Sequence, residues 1–346
     1  MNTGSNHCAM DRRPGASAAR RVALGTVLLV ASATASAGCV SGHALESDAT
    51  FPTSLAGRVV YHAYVSYGDG SSHLYLYDFA SHARVRLDTP AWNIVDPMNA
   101  GFSPDGKRIV FMGRQGGNWN VFAWTIGSGT APANLTATLG GRNEDPKYSF
   151  DGRQVVLKHE GDVYRADVAV DAKGVTQASS FTALTNDGWN VEESMPALTA
   201  DGAAVFYATG TGTGMRIWRK DLATGQAAQF VTPPSGGADY FPVVRDADTY
   251  FFSRVMPGAG NDQIMQQPVD GSTAPRRLSI NDCDGNDSDA APAGARFLVF
   301  SSTAYGSGYA LMLGKLANGK VWRIAPGVVD VDDGRAKLGA SYTDAR

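Results

Sequence analysis

The ten residues Phe102-Ser103-Pro104-Asp105-Gly106-Lys107-Arg108-Ile109-Val110-Phe111 decide the fold. An aromatic residue ends one strand, Pro-Asp-Gly makes a tight turn, and an apolar run begins the next strand. Residues 148–157 and 198–207 repeat this pattern around Asp151-Gly152 and Asp201-Gly202. Weaker copies cover residues 54–61, 245–252 and 293–300. Six copies of one hairpin in a single chain indicate a repeat protein.

Two separate markers measure the repeat. The turn position recurs in steps of 46 to 50 residues at Gly57, Gly106, Gly152, Gly202, Asp248 and Gly294. An apolar residue that closes each unit recurs in steps of 46 to 49 residues at Leu87, Leu135, Leu184, Val231, Leu278 and Ile324. Further turn residues divide each unit into about four strands. The sequence therefore predicts an all-β protein, a six-bladed β-propeller with four antiparallel strands per blade over residues 51–325.

The last residues, 326–346, follow the sixth unit and allow two interpretations. The apolar stretch from Leu338 to Tyr342 either pairs with the first unit and closes the ring, or belongs to a frayed tail.

The length could hold one large or two ordinary domains, and the composition does not indicate disorder. The chain has 346 residues, of which 43% are hydrophobic and 18% charged, so a sizeable core is expected. A formal net charge of −3 argues against a dedicated nucleic-acid-binding protein, which normally presents a basic face. A single closed ring of blades predicts a monomeric domain.

The N-terminal segment has the features of an export signal. Four arginines precede the apolar stretch Val22–Val30, and small residues then lead to Ser36-Ala37-Gly38-Cys39. This end resembles a bacterial lipobox, which implies a signal peptide over residues 1–38, cleavage before Cys39, lipidation of that cysteine and a short linker over 39–50. Ordinary secretory cleavage after Ala35-Ser36-Ala37 is the alternative. The first interpretation predicts a periplasmic, lipid-anchored protein, and Val40 favours the outer membrane.

The state of the cysteines depends on whether Cys39 is acylated. If Cys8 is removed and Cys39 is acylated, Cys283 is the single remaining thiol. If Cys39 is not acylated, a bridge between Cys39 and Cys283 is the alternative.

The repeat unit Ser-Pro-Asp-Gly-Lys-Arg-Ile-Val-Phe, with trailing Leu-Thr pairs at Leu135-Thr136 and Leu184-Thr185, resembles the TolB-type β-propeller repeat. The resemblance covers about residues 51–325. It implies the propeller fold and a protein of the bacterial cell envelope, because TolB is a periplasmic protein whose propeller docks an outer-membrane lipoprotein. TolB also carries an α/β domain in front of its propeller, and no such domain is expected between Cys39 and the first unit.

Acidic residues precede the turn motif in five units. The strands that hold them are expected to line the central channel, which would gather the carboxylates at one mouth. These residues are Asp96, Glu144, Asp145, Glu192, Glu193, Asp239, Asp287 and Asp289. Such a cluster suits a hard cation such as calcium, or a basic segment of a partner. Separate, solvated turn-capping acids are the alternative interpretation.

Aromatic residues occupy related positions. Trp92 and Trp189 stand at the same offset before units two and four, and Tyr240 takes a nearby position in unit five. On loops they would form an aromatic rim suited to a sugar or a protein partner. Packing between blades is the alternative.

No complete catalytic constellation can be read from the sequence. A Gly-x-Ser-x-Gly elbow is missing, and the histidines are too few and too scattered to indicate a metal centre. The sequence therefore favours a non-enzymatic envelope lipoprotein that binds a partner protein or peptide with one propeller face. A carbohydrate-binding or carbohydrate-active propeller, similar to polyuronide lyases, is the alternative.

Overall fold

A computed structural model describes residues 41–345, except residues 259, 307 and 325–334 and the side chain of Trp189. The predicted signal peptide over residues 1–38 and the lipidation site Cys39 lie outside the described residues. The described part contains six four-stranded antiparallel sheets and four short 3-10 helices. It contains no helix that is long and apolar enough to cross a membrane.

The sheets follow one another around a ring as blades one to six. Blade one contains β1 (Arg58–Tyr64), β2 (His73–Asp78), β3 (Arg84–Arg86) and the last strand, β24 (Ala336–Thr343). Blade two contains β4 (Val95–Phe102), β5 (Arg108–Gln115), β6 (Asn118–Thr125) and β7 (Ala133–Asn134). Blade three contains β8 (Asn143–Tyr148), β9 (Gln154–His159), β10 (Asp162–Val170) and β11 (Thr176–Ala183).

The other three blades have the same order. Blade four contains β12 (Glu193–Leu198), β13 (Ala204–Thr209), β14 (Arg216–Asp221) and β15 (Ala227–Gln229). Blade five contains β16 (Ala238–Val244), β17 (Thr249–Val255), β18 (Asp262–Pro268) and β19 (Arg276–Arg277). Blade six contains β20 (Asp287–Ala293), β21 (Phe297–Ser302), β22 (Ala310–Lys315) and β23 (Val321–Arg323). The 3-10 helices are Asp48–Thr50, Pro90–Trp92, Gly188–Asn190 and Gly212–Gly214. The predicted six-bladed, four-stranded all-β fold is confirmed.

The C-terminal strand closes the ring. β24 pairs antiparallel with β1, for example Ser341 with Val60, and supplies the innermost strand of blade one. Each inner strand contacts the inner strands of both neighbouring blades, and β24 lies between β20 and β4. The two ends of the chain therefore share one sheet, so the ring is closed by strand pairing.

The turn motif that recurs in the sequence joins the first two strands of a blade. In blade two the Gly106 amide donates to the Ser103 carbonyl oxygen over 2.8 Å, and the Ser103 hydroxyl donates to Asp105 Oδ1 over 2.6 Å. Gly106 has a φ of +66°, which a β-carbon disfavours. Thr199, Asp201 and Gly202 repeat the arrangement in blade four. The motif thus fixes the hairpin from which each blade begins.

The core lies between neighbouring blades. Between blades six and one, for example, Val59 and Tyr61 belong to the same buried cluster as Val299 and Leu313. Val, Leu and aromatic side chains suit these half-buried pleated surfaces, and each blade gains a second apolar face only from its neighbours. The ring therefore folds as one unit around a central channel.

Candidate functional site: the axial channel

All six inner strands, β4, β8, β12, β16, β20 and β24, run in the same direction along the channel. We call the end where they begin the start end. The end where they finish, beside the beginning of the second strand of each blade, is the turn end. The predicted acidic residues lie at or near the start end, while Ser103 and its equivalents lie at the turn end. The two ends can therefore be compared as separate surfaces.

A belt of six equivalent residues lies between the two ends. Each belt residue interrupts the pairing of its inner strand by a β-bulge, and each has a positive φ of 51–59°. The belt residues are Asn99, Asp145, Met195, Phe241, Asp289 and Gly339. A left-handed bulge redirects the residue at that position, and five of the six belt residues carry a side chain.

Hydrogen bonds connect the belt across blade boundaries. Asn99 Nδ2 donates to Asp145 Oδ1 over 2.9 Å, and the Met195 amide donates to Asp145 Oδ2 over 3.3 Å. The Gly339 amide donates to Asp289 Oδ2 over 3.1 Å. Asp145 thereby ties blades two, three and four together, and Asp289 ties blade six to blade one.

Lys147 lies beside the belt and reaches across the channel. Its ammonium donates to the Pro242 carbonyl oxygen over 2.9 Å and lies 4.7 Å from the centre of the Phe241 ring. Burial lowers the pKa of Lys147 to about 8, although the charges of Asp145 and Asp289 oppose this change. Burial also raises the pKa of Asp145, and the nearby charge of Glu144 adds to that rise. Lys147 therefore links blades three and five and narrows the channel at the level of the belt.

A cavity of about 420 Å³ lies on the turn-end side of the belt. Asn99, Asp145, Met195 and Phe241 contribute to its lining together with Lys147. Its walls are largely apolar and come from residues near the ends of the inner strands, which include Phe102, Pro104, Phe150, Val244, Pro292 and Tyr342. Apolar walls with a few polar groups at the floor are typical of ligand-binding pockets.

The predicted acids do not form an open cluster at the start end, because several of them pair with bases of the neighbouring strand. Asp96 is buried and contacts Arg114 Nη2 over 2.6 Å. Asp239 is fully buried and accepts two hydrogen bonds from the Arg254 guanidinium, at 2.6 and 2.8 Å. Such two-point pairing neutralises the carboxylate locally.

Glu144 and Glu192 belong to one charged network. Lys158 Nζ lies 2.5 Å from Glu192 Oε1 and 3.4 Å from Glu144 Oε2, and its own side chain is buried. Arg142 Nη2 lies 2.7 Å from Glu144 Oε1, which also accepts from the Tyr67 hydroxyl over 3.3 Å. This network connects blades one, three and four at the start end and leaves its carboxylates paired.

The other predicted acids are Glu193, Asp287 and Asp289, and all three are buried. Burial raises the pKa of Glu193 to about 7. Burial also raises the pKa of Asp287 to about 8, and the charges of Asp282 and Asp262 add to that rise. Asp289 is buried in the belt. Among the side chains described, no group of three or more His, Cys, Asp or Glu is arranged to hold a metal ion. Calcium therefore remains a prediction from the sequence alone.

The predicted aromatic rim is not exposed where its residues are described. Trp92 is only 6% exposed and lies in the core between blades one and two, 4.9 Å from the Trp124 ring and 5.6 Å from the Phe111 ring. Tyr240 is also 6% exposed. The side chain of Trp189 lies outside the described residues. Trp92 therefore packs between blades, and neither Trp92 nor Tyr240 offers an exposed ring face to a sugar.

The interpretation in which Cys39 is acylated predicts that Cys283 is a lone thiol, but Cys283 is disulfide-bonded. The other two cysteines of the sequence, Cys8 and Cys39, lie outside the described residues. The neighbouring residue Asp282 accepts a hydrogen bond from the His43 amide over 2.7 Å. The N-terminal segment thus reaches the loop that contains Cys283.

Sequence reasoning missed Lys147, Phe241 and the belt. A bulge in an inner strand has no fixed residue type, since Asn, Asp, Met, Phe and Gly all occupy the belt. The pairing of the acids could have been found, because Arg254 lies opposite Asp239 and Lys158 lies opposite Glu144 in their hairpins. In these hairpins an acid lies at the beginning of the inner strand and a base lies at the end of the second strand. This pattern in the sequence would have predicted the ion pairs.

Comparisons with known proteins identify the fold but not a sequence family. No known family model matches the chain, and no curated protein matches its sequence. TolB from Acinetobacter baumannii superposes with a TM-score of 0.58 at 16% identity, over 83% of this chain and 66% of that one. The chain thus spans just under two thirds of the length of that TolB.

Two further solved structures cover their own chains almost completely. A putative TolB from Agrobacterium tumefaciens has a TM-score of 0.56 at 16% identity, over 84% of this chain and 99% of that one. A chain of a nidogen/laminin complex has a TM-score of 0.56 at 9% identity, over 84% of this chain and 100% of that one. At such identities the likeness concerns the fold alone. The chain has the fold of a TolB-like six-bladed β-propeller.

Proposed function

We propose that this protein is a non-enzymatic, monomeric protein of the cell envelope that binds a partner protein or peptide at the turn end of its channel. The observation that carries the proposal is the cavity of about 420 Å³ above the belt, with apolar walls and a polar floor. Its volume falls within the range of about 300–1,000 Å³ for binding pockets. It can accept a few side chains of an inserted segment.

The polar floor suits a peptide backbone. The Lys147 ammonium has three protons, of which one is donated to the Pro242 carbonyl oxygen, and Asp145 provides carboxylate oxygens beside it. A backbone amide offers one acceptor and one donor, which match these two groups. Phe150 is 41% exposed at the mouth and provides an apolar contact for a flanking side chain.

The test is site-specific photo-crosslinking in intact cells. A photo-reactive phenylalanine analogue at position 150 should cross-link one partner, whereas the same analogue at Val170, which is 44% exposed on β10, should not. Phe150→Glu should abolish capture of that partner, because a charge at the mouth opposes apolar insertion. Val170→Glu is the matched control. Equal cross-linking at both positions would refute binding at the turn end.

The location of the protein is part of the proposal. The lipobox-like residues before Cys39 support a lipid anchor in the periplasm, and Val40 supports the outer membrane. This anchor conflicts with the disulfide at Cys283, because a Cys39 thiol that carries a diacylglyceryl thioether cannot form a disulfide and cleavage before Cys39 removes Cys8. The lipid-anchored form and the disulfide-bonded form are therefore alternatives. Mass spectrometry of the mature N-terminus distinguishes the two fates of Cys39, and an unmodified N-terminus after position 37 would refute the anchor.

A further inference from the structure

Three basic side chains come together at the edge of blade six that belongs to the turn end, next to the N-terminal segment. Lys315 ends β22 and lies opposite Phe297 of β21. The Lys315 amide donates to the Lys320 carbonyl oxygen over 2.8 Å, so these two lysines face each other across the hairpin. The Arg296 guanidinium lies 5.8 Å from the centre of the Phe297 ring. These contacts bring the three basic residues to the same edge of blade six.

Only one of these charges has an acidic partner among the described residues. Glu46, from the N-terminal segment, lies 3.0 Å from Lys320 Nζ. In the part of the chain that the structure describes, the side chains of Lys315 and Arg296 have no carboxylate partner. Like charges directly opposite on neighbouring strands are unfavourable. The blade edge thus carries a local excess of two positive charges, although the whole chain is formally −3.

The three cations line a polar pocket of about 380 Å³. The segment that follows Glu46 supplies the other wall, with hydroxyl groups from Thr50, Thr53 and Ser54. This wall is fixed in place, because Trp322 Nε1 donates to Thr50 Oγ1 over 3.1 Å. An oxyanion is bound by cations and hydroxyl groups that converge on it. The pocket provides both, and two of its three cations, Lys315 and Arg296, have no carboxylate partner among the described residues.

We propose that this pocket binds an oxyanion of the phosphate class. Arg296 would bind two oxygens through its fork, Lys315 would act as a point charge, and the hydroxyl groups of Thr53 and Ser54 would donate further hydrogen bonds. The Thr50 hydroxyl already donates to the Ser47 carbonyl oxygen over 2.7 Å and serves only to hold the wall. The anion has two sources of the same chemistry: free phosphate or the phosphodiester of a lipid headgroup. This site shares no lining residue with the peptide-binding cavity, so the two proposals can be tested separately.

The first experiment is isothermal titration of the full mature chain with inorganic phosphate at constant ionic strength. We expect saturable binding that Arg296→Gln and Lys315→Gln each weaken by about tenfold, as expected when a hydrogen bond to a charged group is lost. Lys173→Gln removes an equal charge from an exposed turn of blade three and should leave binding unchanged. Circular dichroism establishes that each variant is folded.

The second experiment separates the two sources. Vesicles of phosphatidylglycerol and of phosphatidylcholine are sedimented with the wild type and the same three variants. Loss of phosphatidylglycerol binding in the Arg296 and Lys315 variants identifies a lipid headgroup, while phosphate binding without vesicle binding identifies a soluble anion. Absence of saturable binding in both experiments, or equal losses in Lys173→Gln, would overturn the site and leave the peptide-binding proposal untouched.

Discussion

The two ends of the channel use carboxylates in opposite ways. At the turn end, Asp105, Asp151 and Asp201 accept hydrogen bonds from the hydroxyl of Ser103, Ser149 or Thr199 and from backbone amides, and their pKa values are lowered. At the start end, burial raises the pKa values of Glu193, Asp239 and Asp287. Acidic residues therefore stabilise exposed turns at the turn end, whereas at the start end they occupy buried positions. Acid content alone does not identify a ligand site.

The largest effect should come from breaking a buried pair at the start end. Arg254→Met leaves the fully buried Asp239 without the guanidinium that contacts both of its oxygens, which typically costs about 3–5 kcal/mol. Arg108→Met removes the 3.0 Å contact with the 45% exposed Asp105 at the turn end and should cost less than about 1 kcal/mol. Urea unfolding of both variants measures the difference.

A control isolates the pair from side-chain packing. Asp239→Asn combined with Arg254→Met should recover part of the lost stability, because no uncompensated charge remains buried. The losses in unfolding free energy of Arg254→Met and Asp239→Asn alone are compared with the loss of the double variant. If the double variant loses as much as the two single variants together, the pair contributes by packing and the contrast between the two ends is not electrostatic.

The belt that separates the ends should be sensitive to volume. A β-carbon at Gly339 would lie 2.7 Å from the His62 ring and 2.9 Å from Asn99 Oδ1, whereas one at Gly202 would meet nothing within 4 Å. Both glycines have a positive φ, so both alanine variants have the same backbone strain. We expect Gly339→Ala to lose about 1–3 kcal/mol and more than Gly202→Ala. Thermal unfolding of the two variants checks this, and equal losses would contradict a tightly packed belt.

Asp287 should make stability fall as the pH rises. Its pKa is about 8 in the folded state and about 4 when unfolded, so the stabilisation is complete below pH 4 and is lost as the pH rises toward 8. Asp287→Asn is neutral in both states and keeps an oxygen for the Asp282 amide, 2.6 Å away. Since one pKa unit corresponds to about 1.4 kcal/mol, the variant should gain more than about 1 kcal/mol over the wild type at pH 8. Unfolding at pH 5 and pH 8 measures it, and a constant difference would contradict a buried neutral Asp287.

The sequence predicted the ring well because turn chemistry is local. Asp105-Gly106 and its copies specify a hairpin within a few residues, and six evenly spaced hairpins leave few alternatives to a propeller. Trp92 was assigned to a rim because its loop position was visible, whereas its contact with Trp124 depends on the packing between blades one and two. Lys147 was missed for a similar reason, since its carbonyl partner is supplied by Pro242, two blades away. Contacts between blades have no short-range sequence signal.

The smallest effect should come from the turn end, with the opposite pH dependence. Asp105 accepts from Ser103 Oγ and from the Lys107 amide, and these hydrogen bonds hold its pKa below the usual value even though partial burial acts against them. Its stabilisation is therefore present above pH 4 and is lost as the pH falls through the lowered pKa. Asp105→Asn should cost less than about 1 kcal/mol at pH 7, because the carboxylate is half-exposed and screened, and the cost should become smaller as the pH falls. Unfolding of this variant at pH 7 and pH 2, measured beside Asp287→Asn, tests whether the two ends respond to pH with opposite sign. A loss that is as large at pH 2 as at pH 7 would assign the role of Asp105 to the shape of its side chain rather than to its charge.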